Sequence, residues 1–298
     1  GYATHSVIIP PGERHKTIST VTHLWEAFLA GGLERGSVVI ALGGGVVGDL
    51  AGFAAATYFR GIPWVTVPTS LLAMVDASLG GKTGADLPQG KNLIGAFYPP
   101  RLVLADPTTL ATLPERELRA GMAEVIKAGL IADEDLFNLC CQGWEAVSQN
   151  LAMIVRRSMA VKIRLVQADP YERGQRAALN LGHTIGHAVE KASGYHLLHG
   201  EAVAIGLVAE ARLAESQRLA RRGLTERIIA CLEGLGLPTR LPVDVSPQAV
   251  IQAAGVDKKR AAGSLRFALP LRPGRVQVGI TIPDWDQIIF DEGEGTSP

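Results

Sequence analysis

The chain has 298 residues, 47% of them hydrophobic and 19% charged, with 29 basic residues set against 29 acidic ones. A zero net charge excludes a broad nucleic-acid-binding or anionic-membrane-binding surface, but leaves room for a local basic pocket that takes a phosphorylated small molecule. A chain of this length buries a large core and commonly divides into two domains. Cys140, Cys141 and Cys231 lack CxxC spacing. They suit a reducing compartment, and the adjacent pair reads as helix packing rather than a bridge. No charged-then-apolar leader and no apolar run of about 18 residues is present, so the expectation is a cytoplasmic protein with no membrane partner.

In chain order, Ser6–Ile9 reads as a short buried strand ended by Pro10-Pro11-Gly12. Thr17–Ala30 has helical spacing, with Val21, Leu24, Trp25 and Phe28 on one side. The β-branched run from Ser37 to Gly43 reads as a fully buried parallel strand, and Asp49–Thr57 as a helix. Between them, Gly43, Gly45 and Gly48 satisfy GxGxxG. Such glycines let the backbone approach a pyrophosphate, whose charge rests on the N–H groups and dipole of the helix start. The next strand, Trp64–Val67, ends in Pro68-Thr69-Ser70 and lacks the ribose-binding acid of a standard Rossmann unit.

From Asp76 to Pro99 the chain is rich in glycine and small polar residues, with Lys82, Lys91 and Asn92 among them. This stretch reads as a long functional loop suited to phosphate or carboxylate capture. Leu102–Ala105 is a further short strand. Past Leu113 the composition turns helical: a helix opens at Pro114 with Glu115 and Glu117 in its first turn and places Glu124 and Lys127 on one face. Leu151–Asp169, bearing Lys162, and Glu201–Leu219 are further helices, Ser264–Leu269 is a small strand before Pro273-Gly274, and Asp291–Pro298 is a polar tail expected to be disordered. The expected boundaries are an α/β nucleotide-binding domain over residues 1–113 and a mainly helical domain over 114–298, with the site in the cleft between them.

Four of the seven histidines, His183, His187, His196 and His199, fall in the second domain within one stretch that also holds Glu190 and Glu201. His183 and His187 stand four apart, so on a helix both imidazoles leave the same face. Imidazole and carboxylate suit a divalent metal such as zinc, and a catalytic site takes three protein ligands with one position open. Histidines on a helix face also serve as ordinary packed residues, and the spacing by itself does not choose the ligands.

Nine stretches together resemble one family, 3-dehydroquinate synthase of the sugar-phosphate cyclase superfamily: Pro11–Lys16, Gly43–Asp49, Pro68–Ser78, Gly80–Gly84, Gly90–Gly95, Gly121–Lys127, Leu179–His187, His199–Glu201 and Asp257–Lys259. The resemblance implies a Rossmann-like first domain without the strand–helix–strand unit that precedes Pro11 in the family. Further implications are NAD and zinc as cofactors, with Co2+ a substitute, and a homodimer. The activity implied is conversion of 3-deoxy-D-arabino-heptulosonate 7-phosphate to 3-dehydroquinate and phosphate, a lyase step of the shikimate route to aromatic amino acids.

Position by position, the resemblance makes Glu124, His183 and His199 the metal ligands and His187 the proton-handling histidine. NAD contacts fall to Glu13, Lys16, Gly44, Gly45, Val46, Val47, Gly48, Asp49, Thr69, Ser70, Thr109, Leu110, Ala111 and Thr112, with Lys82 and Lys91 at the nucleotide–substrate boundary. Substrate groups fall to Asp76, Lys82, Asn92, Lys127, Lys162, Arg176, Asn180 and Lys258, and Arg60 resembles an arginine offered to the phosphate by the partner subunit. Three other readings compete: a sister cyclase making a valiolone- or inosose-type ring, a metal-dependent polyol dehydrogenase that releases NADH, and a non-catalytic descendant that only binds metal or nucleotide.

Overall fold

The computed structural model describes residues 2–260 and 265–290, without the side chains of 256–260. The chain forms two compact units, Gly1–Pro114 and Glu115–Pro298. Among the described residues no helix is long and apolar enough to cross a membrane.

In the first unit, α1 (Ile18–Ala30) starts where the Thr17 hydroxyl accepts the Thr20 N–H at 3.2 Å, and it buries Val21, Leu24 and Phe28 at the expected spacing. Strand β1 (Val39–Gly43) leads into α2 (Gly45–Thr57), and β2 (Trp64–Pro68) returns parallel to β1. A hairpin follows, β3 (Lys82–Leu87) antiparallel to β4 (Gly90–Phe97), and then β5 (Leu102–Val103) joins the other side of β2. The parallel sheet thus runs β1-β2-β5. Helix α2 packs so tightly that a Cβ on Gly52 would stand 2.5 Å from Thr83 and 2.9 Å from Trp64.

Four expectations for this unit are corrected. Ser6–Ile9 is irregular and largely exposed, because no described strand offers it a ladder. Strand β1 is buried on one face only: Ile40 and Leu42 are 67% and 64% exposed, since β1 is an edge strand with α2 on a single side. The glycine-rich 76–99 stretch is mostly not a loop but the β3–β4 hairpin. Its glycines are packing residues, for a Cβ on Gly84 would lie 2.4 Å from the Ile94 carbonyl oxygen and one on Gly95 2.1 Å from that of Thr83. Helix α2 also begins earlier than expected, at Gly45, so Gly45 and Gly48 lie in its first turn.

The second unit opens with α3 (Glu115–Ala132), followed by α4 (Glu134–Cys140), α5 (Trp144–Gln149) and α6 (Leu151–Ala168). Then come α7 (His183–Ala192), α8 (His199–Ser216), α9 (Leu224–Gly234) and α10 (Pro247–Arg260). A hairpin of β6 (Phe267–Arg272) and β7 (Arg275–Ile280), then the short α11 (Trp285–Ile288), complete the described part. Helix α8 is apolar and buried almost all round from Ala202 to Ala214, which makes it the central helix of the unit. The cysteines are free, with Cys140 and Cys231 buried. The tail expectation for 291–298 falls outside the described residues, as does the Lys258 side chain on α10.

Candidate metal and nucleotide sites

Helices α3, α7 and α8 meet through residues that have no side chain to keep them apart. A Cβ on Gly200 would come 1.8 Å from the Ala120 carbonyl oxygen of α3. One on Gly206 would stand 2.0 Å from the carbonyl oxygen of Gly182, and one on Gly186 3.1 Å from that of Ala202. Gly200 follows His199, Gly182 precedes His183, and Ala120 lies one turn before Glu124, so the same contacts that close the packing bring those three side chains together.

Their donor atoms all lie within 4.8 Å of one another. His183 Nε2 is 3.5 Å and His199 Nε2 3.4 Å from the same Glu124 oxygen, Oε1, while Lys127 Nζ pairs with Oε2. Glu124 and Lys127 are both 2% exposed. The buried Glu124 carboxylate is met by the Lys127 ammonium at Oε2 and faced by the two rings at Oε1, the polar company that an anion out of water requires. Burial works to raise the Glu124 carboxyl, but the Lys127 ammonium above all outweighs it and holds the group well below the usual carboxylate range. Burial and then Lys127 push His183 well below the usual imidazole range, which leaves it neutral with a lone pair to give. Burial also opposes charge on His199, but the Glu124 and Glu190 carboxylates raise its ring to about 9. An anionic carboxylate and two imidazoles turned onto one point form a donor set that fits a divalent cation such as zinc.

His187, one turn after His183, lies with its ring centroid 5.1 Å from that of His183 and 5.9 Å from that of His199, at the edge of the cluster. Lys162 on α6 and Arg176 in the 3-10 turn Gln175–Asn180 are buried, on elements packed against α3. Arg176 donates to the Pro170 carbonyl at 2.5 Å, and Asn180 donates to Glu172 at 2.9 Å. His196 and Glu201 stay outside the cluster. Glu201 is taken by Arg116 at 2.7 Å and accepts the Leu198 N–H at 2.8 Å, and His196 faces Asp244 at 3.3 Å.

One residue of this region is missing from the sequence-based list. Glu210, fully buried on α8, accepts the Gly182 N–H at 2.5 Å. The Ile185 and Thr184 N–H groups also point to its carboxylate, so it caps the start of α7 from a neighbouring helix. Gly182 serves there because its φ of +77° is the left-handed conformation. Burial pushes the Glu210 carboxyl up to about 8. The signal for it was a lone acid in the otherwise apolar run from Ala202 to Ala211.

In the first unit, no side chain caps α2 after Gly44, so its opening N–H groups are available to an anion. A Cβ on Gly44 would be 3.4 Å from Ser70 Oγ, and Thr69 donates its N–H to the Gly43 carbonyl at 2.9 Å, so Thr69 and Ser70 border this turn. Asp49, in the second turn of α2, holds Lys16 Nζ at 2.6 Å, and the Asn92 side-chain oxygen holds the same ammonium at 2.6 Å. Glu13 lies 3.9 Å from both Lys16 and Lys91. Burial opposes the Lys16 charge, yet Asp49 and Glu13 keep it above its ordinary range. Asp76 sits in the turn Ala73–Ala77, where it helps to raise Asp49, and Lys82 begins β3. Thr109, Leu110, Ala111 and Thr112 form part of the 3-10 turn Pro107–Thr112, which Asp106 caps through the Thr108 N–H at 3.0 Å. Arg60 is exposed, and both it and Phe59 have left-handed φ values of +65° and +47°.

The model of the 3-dehydroquinate synthase N-terminal domain matches residues 6–120, and that of the 3-dehydroquinate synthase C-terminal domain matches 121–260. The chain belongs to the 3-dehydroquinate synthase family. A 3-dehydroquinate synthase of Synechococcus sp. is 50% identical over 290 residues, which cover 95% of this chain and 79% of that protein. The one from Symbiobacterium thermophilum is 50% identical over 286 residues, 93% of this chain and 79% of that protein.

Solved structures of the wider superfamily align as well. A 2-epi-5-epi-valiolone synthase from Streptomyces hygroscopicus, with NAD+ and Zn2+ bound, gives a TM-score of 0.87 at 31% identity, covering 94% of this chain and 79% of that one. A 2-deoxy-scyllo-inosose synthase complexed with carbaglucose-6-phosphate, NAD+ and Co2+ gives 0.81 at 32% identity, covering 93% and 77%. A probable glycerol dehydrogenase from Sinorhizobium meliloti shares the fold alone, at a TM-score of 0.54 and 20% identity.

Proposed function

We propose that the chain is a carbon–oxygen lyase that converts 3-deoxy-D-arabino-heptulosonate 7-phosphate to 3-dehydroquinate and phosphate. One observation carries the reading: a buried carboxylate and two imidazoles converge on a single point, with the Lys127 cation locked beside them. Family membership and 50% identity to 3-dehydroquinate synthases set it above the sister cyclases, which align at 31–32%. When bound, NAD+ and a divalent metal supply a returnable hydride acceptor and a Lewis acid.

The roles assigned to the chain's own residues follow from their chemistry. Glu124, His183 and His199 hold the metal, and His187 moves a proton at its edge. Gly44–Asp49 hold the pyrophosphate on the start of α2, with Thr69, Ser70 and the Thr109–Thr112 turn around the rest of the nucleotide. Glu13 and Lys16 contact the nucleotide, with Lys82 and Lys91 at its boundary with the substrate. Lys82, Lys127, Lys162, Arg176 and Lys258 are cations suited to the substrate's carboxylate and phosphate, and Asp76, Asn92 and Asn180 to its hydroxyls. Buried cations beside the metal ligands lower the cost of bringing a multiply charged substrate out of water.

The two consecutive left-handed residues at Phe59 and Arg60 hold an exposed guanidinium in a strained turn. An exposed guanidinium there can reach out of its own subunit, and with the family resemblance at Arg60 this supports a homodimer in which Arg60 meets the partner's phosphate; the location proposed is the cytoplasm expected from the sequence. The test is turnover of the heptulosonate phosphate with catalytic NAD+. The expected result is stoichiometric phosphate release with no net rise in NADH absorbance and a product of the mass of 3-dehydroquinate. Accumulation of NADH from a polyol without phosphate release would make the chain a dehydrogenase instead.

A further inference from the structure

The two imidazoles of the cluster are turned the same way by different means. His183 has Nδ1 at 3.0 Å from the Leu181 carbonyl oxygen and presents Nε2 to Glu124. His199 has Nδ1 at 3.1 Å from Glu190 Oε2 and likewise presents Nε2 to Glu124. Nδ1 of each ring is thereby committed, and Nε2 is the nitrogen that faces the shared point and would give its lone pair to a metal in exchange for any proton it carries. Glu190 is itself buried, on the same helix as His183 and two turns further along, so α7 supplies one ligand and the brace for the other.

We infer that Glu190 is a positioning residue for the metal, holding His199 through Nδ1 and strengthening it as a donor. This rests on the reading of Glu124, His183 and His199 as the ligands. A carboxylate brace does more than the carbonyl on His183, because its charge makes the imidazole more basic and offsets part of the cation's charge. Glu190 also lies within reach of His187 and His199 in an arrangement that could take a second ion. The brace reading predicts a single ion per chain, since Nδ1 of His199 cannot both donate to Glu190 and bind metal.

The test measures zinc affinity of the full chain by competition with a chromophoric chelator, with the visible spectrum of the Co2+-substituted protein as a second readout. Glu190→Gln keeps an acceptor and loses the charge; it is expected to weaken zinc about tenfold, and Glu190→Ala about a hundredfold. The Co2+ bands should shift in both, while the far-ultraviolet circular dichroism of metal-free Glu190→Gln matches that of the parent. If Glu190→Ala fails to fold, the Gln variant carries the test. Parental zinc affinity in Glu190→Gln and Glu190→Ala alongside its loss in His199→Ala would overturn the inference and leave the ligands standing. Two zinc ions per chain, one of them lost in Glu190→Gln, would also overturn it. Zinc retained in His199→Ala would remove the ligand reading and the inference together.

Discussion

In the second unit the candidate metal site is built from side chains: Glu124, His183 and His199 converge from three helices, and burial tunes each of them. In the first unit the candidate anion site is built mainly from backbone, an uncapped helix start after Gly44 with Thr69 and Ser70 beside it. Side-chain sites have redundancy in chemistry but none in position, since each ligand is a single residue whose loss removes a bond. A backbone site is indifferent to most side chains and sensitive to one thing only, the space that glycine leaves. The two sites should therefore fail differently under mutation.

The largest effect is expected from His199→Ala. Removing one of three protein ligands should empty the metal site and lower turnover by about a thousandfold or more, the equivalent of several kcal/mol of lost charge stabilisation. NAD+ affinity should hold, as no residue of the first unit is touched. Metal content by atomic absorption that stays at one per chain would break the side-chain half of the comparison.

Gly45→Val is the complementary probe. A Cβ at Gly45 already lies 3.3 Å from that of Ala77, and the rest of a valine must take the space before the helix start. NAD+ binding by calorimetry should weaken by about ten- to a hundredfold, some 1.4–2.8 kcal/mol, with zinc content unchanged. Unaltered NAD+ affinity would move the nucleotide away from this turn.

A third substitution sharpens what supports the backbone site. Lys16 is 5% exposed and balances Asp49, whose side chain keeps 21% exposure. Lys16→Ala leaves that carboxylate and the Asn92 oxygen without their shared cation, at a cost of about 3 kcal/mol, the low end for a broken buried pair because Asp49 retains some water. Urea unfolding checks this. A loss below about 1 kcal/mol would show that the pair serves ligand binding rather than folding.

The same contrast explains what could be read from the sequence. Helix α1, with Thr17 as cap and Val21, Leu24 and Phe28 at helical spacing, and the Glu124–Lys127 pair on one helix face were legible because the information is local. The β3–β4 hairpin was hidden because Gly84 and Gly95, which mark it, have low strand propensity and are chosen for contact across the pair. Burial of both faces of β1 was over-read because a run of Val, Ile and Leu does not say how many neighbours a strand will have. In the metal cluster, HxxxH spacing puts His183 and His187 on one helix face without choosing ligands, whereas the contacts of α3, α7 and α8 bring His183 to Glu124 and His199. The roles of Glu190 and Glu210 depend on those same interhelical contacts, and no local pattern encodes them.

The smallest effect concerns pH and rests on Glu210. The folded chain keeps its proton up to about pH 8, whereas an unfolded chain releases it near the ordinary value of 4.5, so between those values the folded state is the more protonated. Stability from this group is fully present below about pH 4.5 and is lost progressively as the pH rises towards 8. Above that range Glu210 is a buried anion met by three N–H groups of the α7 start, with its Oε1 lacking a hydrogen bond among the described residues. Glu210→Gln keeps an acceptor for the Gly182 N–H and has no proton to lose. Metal-free protein should therefore be used, so that release of a metal from its ligands at low pH does not mix with the signal. The parent should lose stability relative to Glu210→Gln on going from pH 5 to pH 8, by roughly 1–2 kcal/mol once relaxation around the site is allowed for. Denaturant midpoints at the two pH values measure it. Parallel pH profiles for the two proteins would mean that Glu210 is already ionised in the fold, held by the helix start it caps.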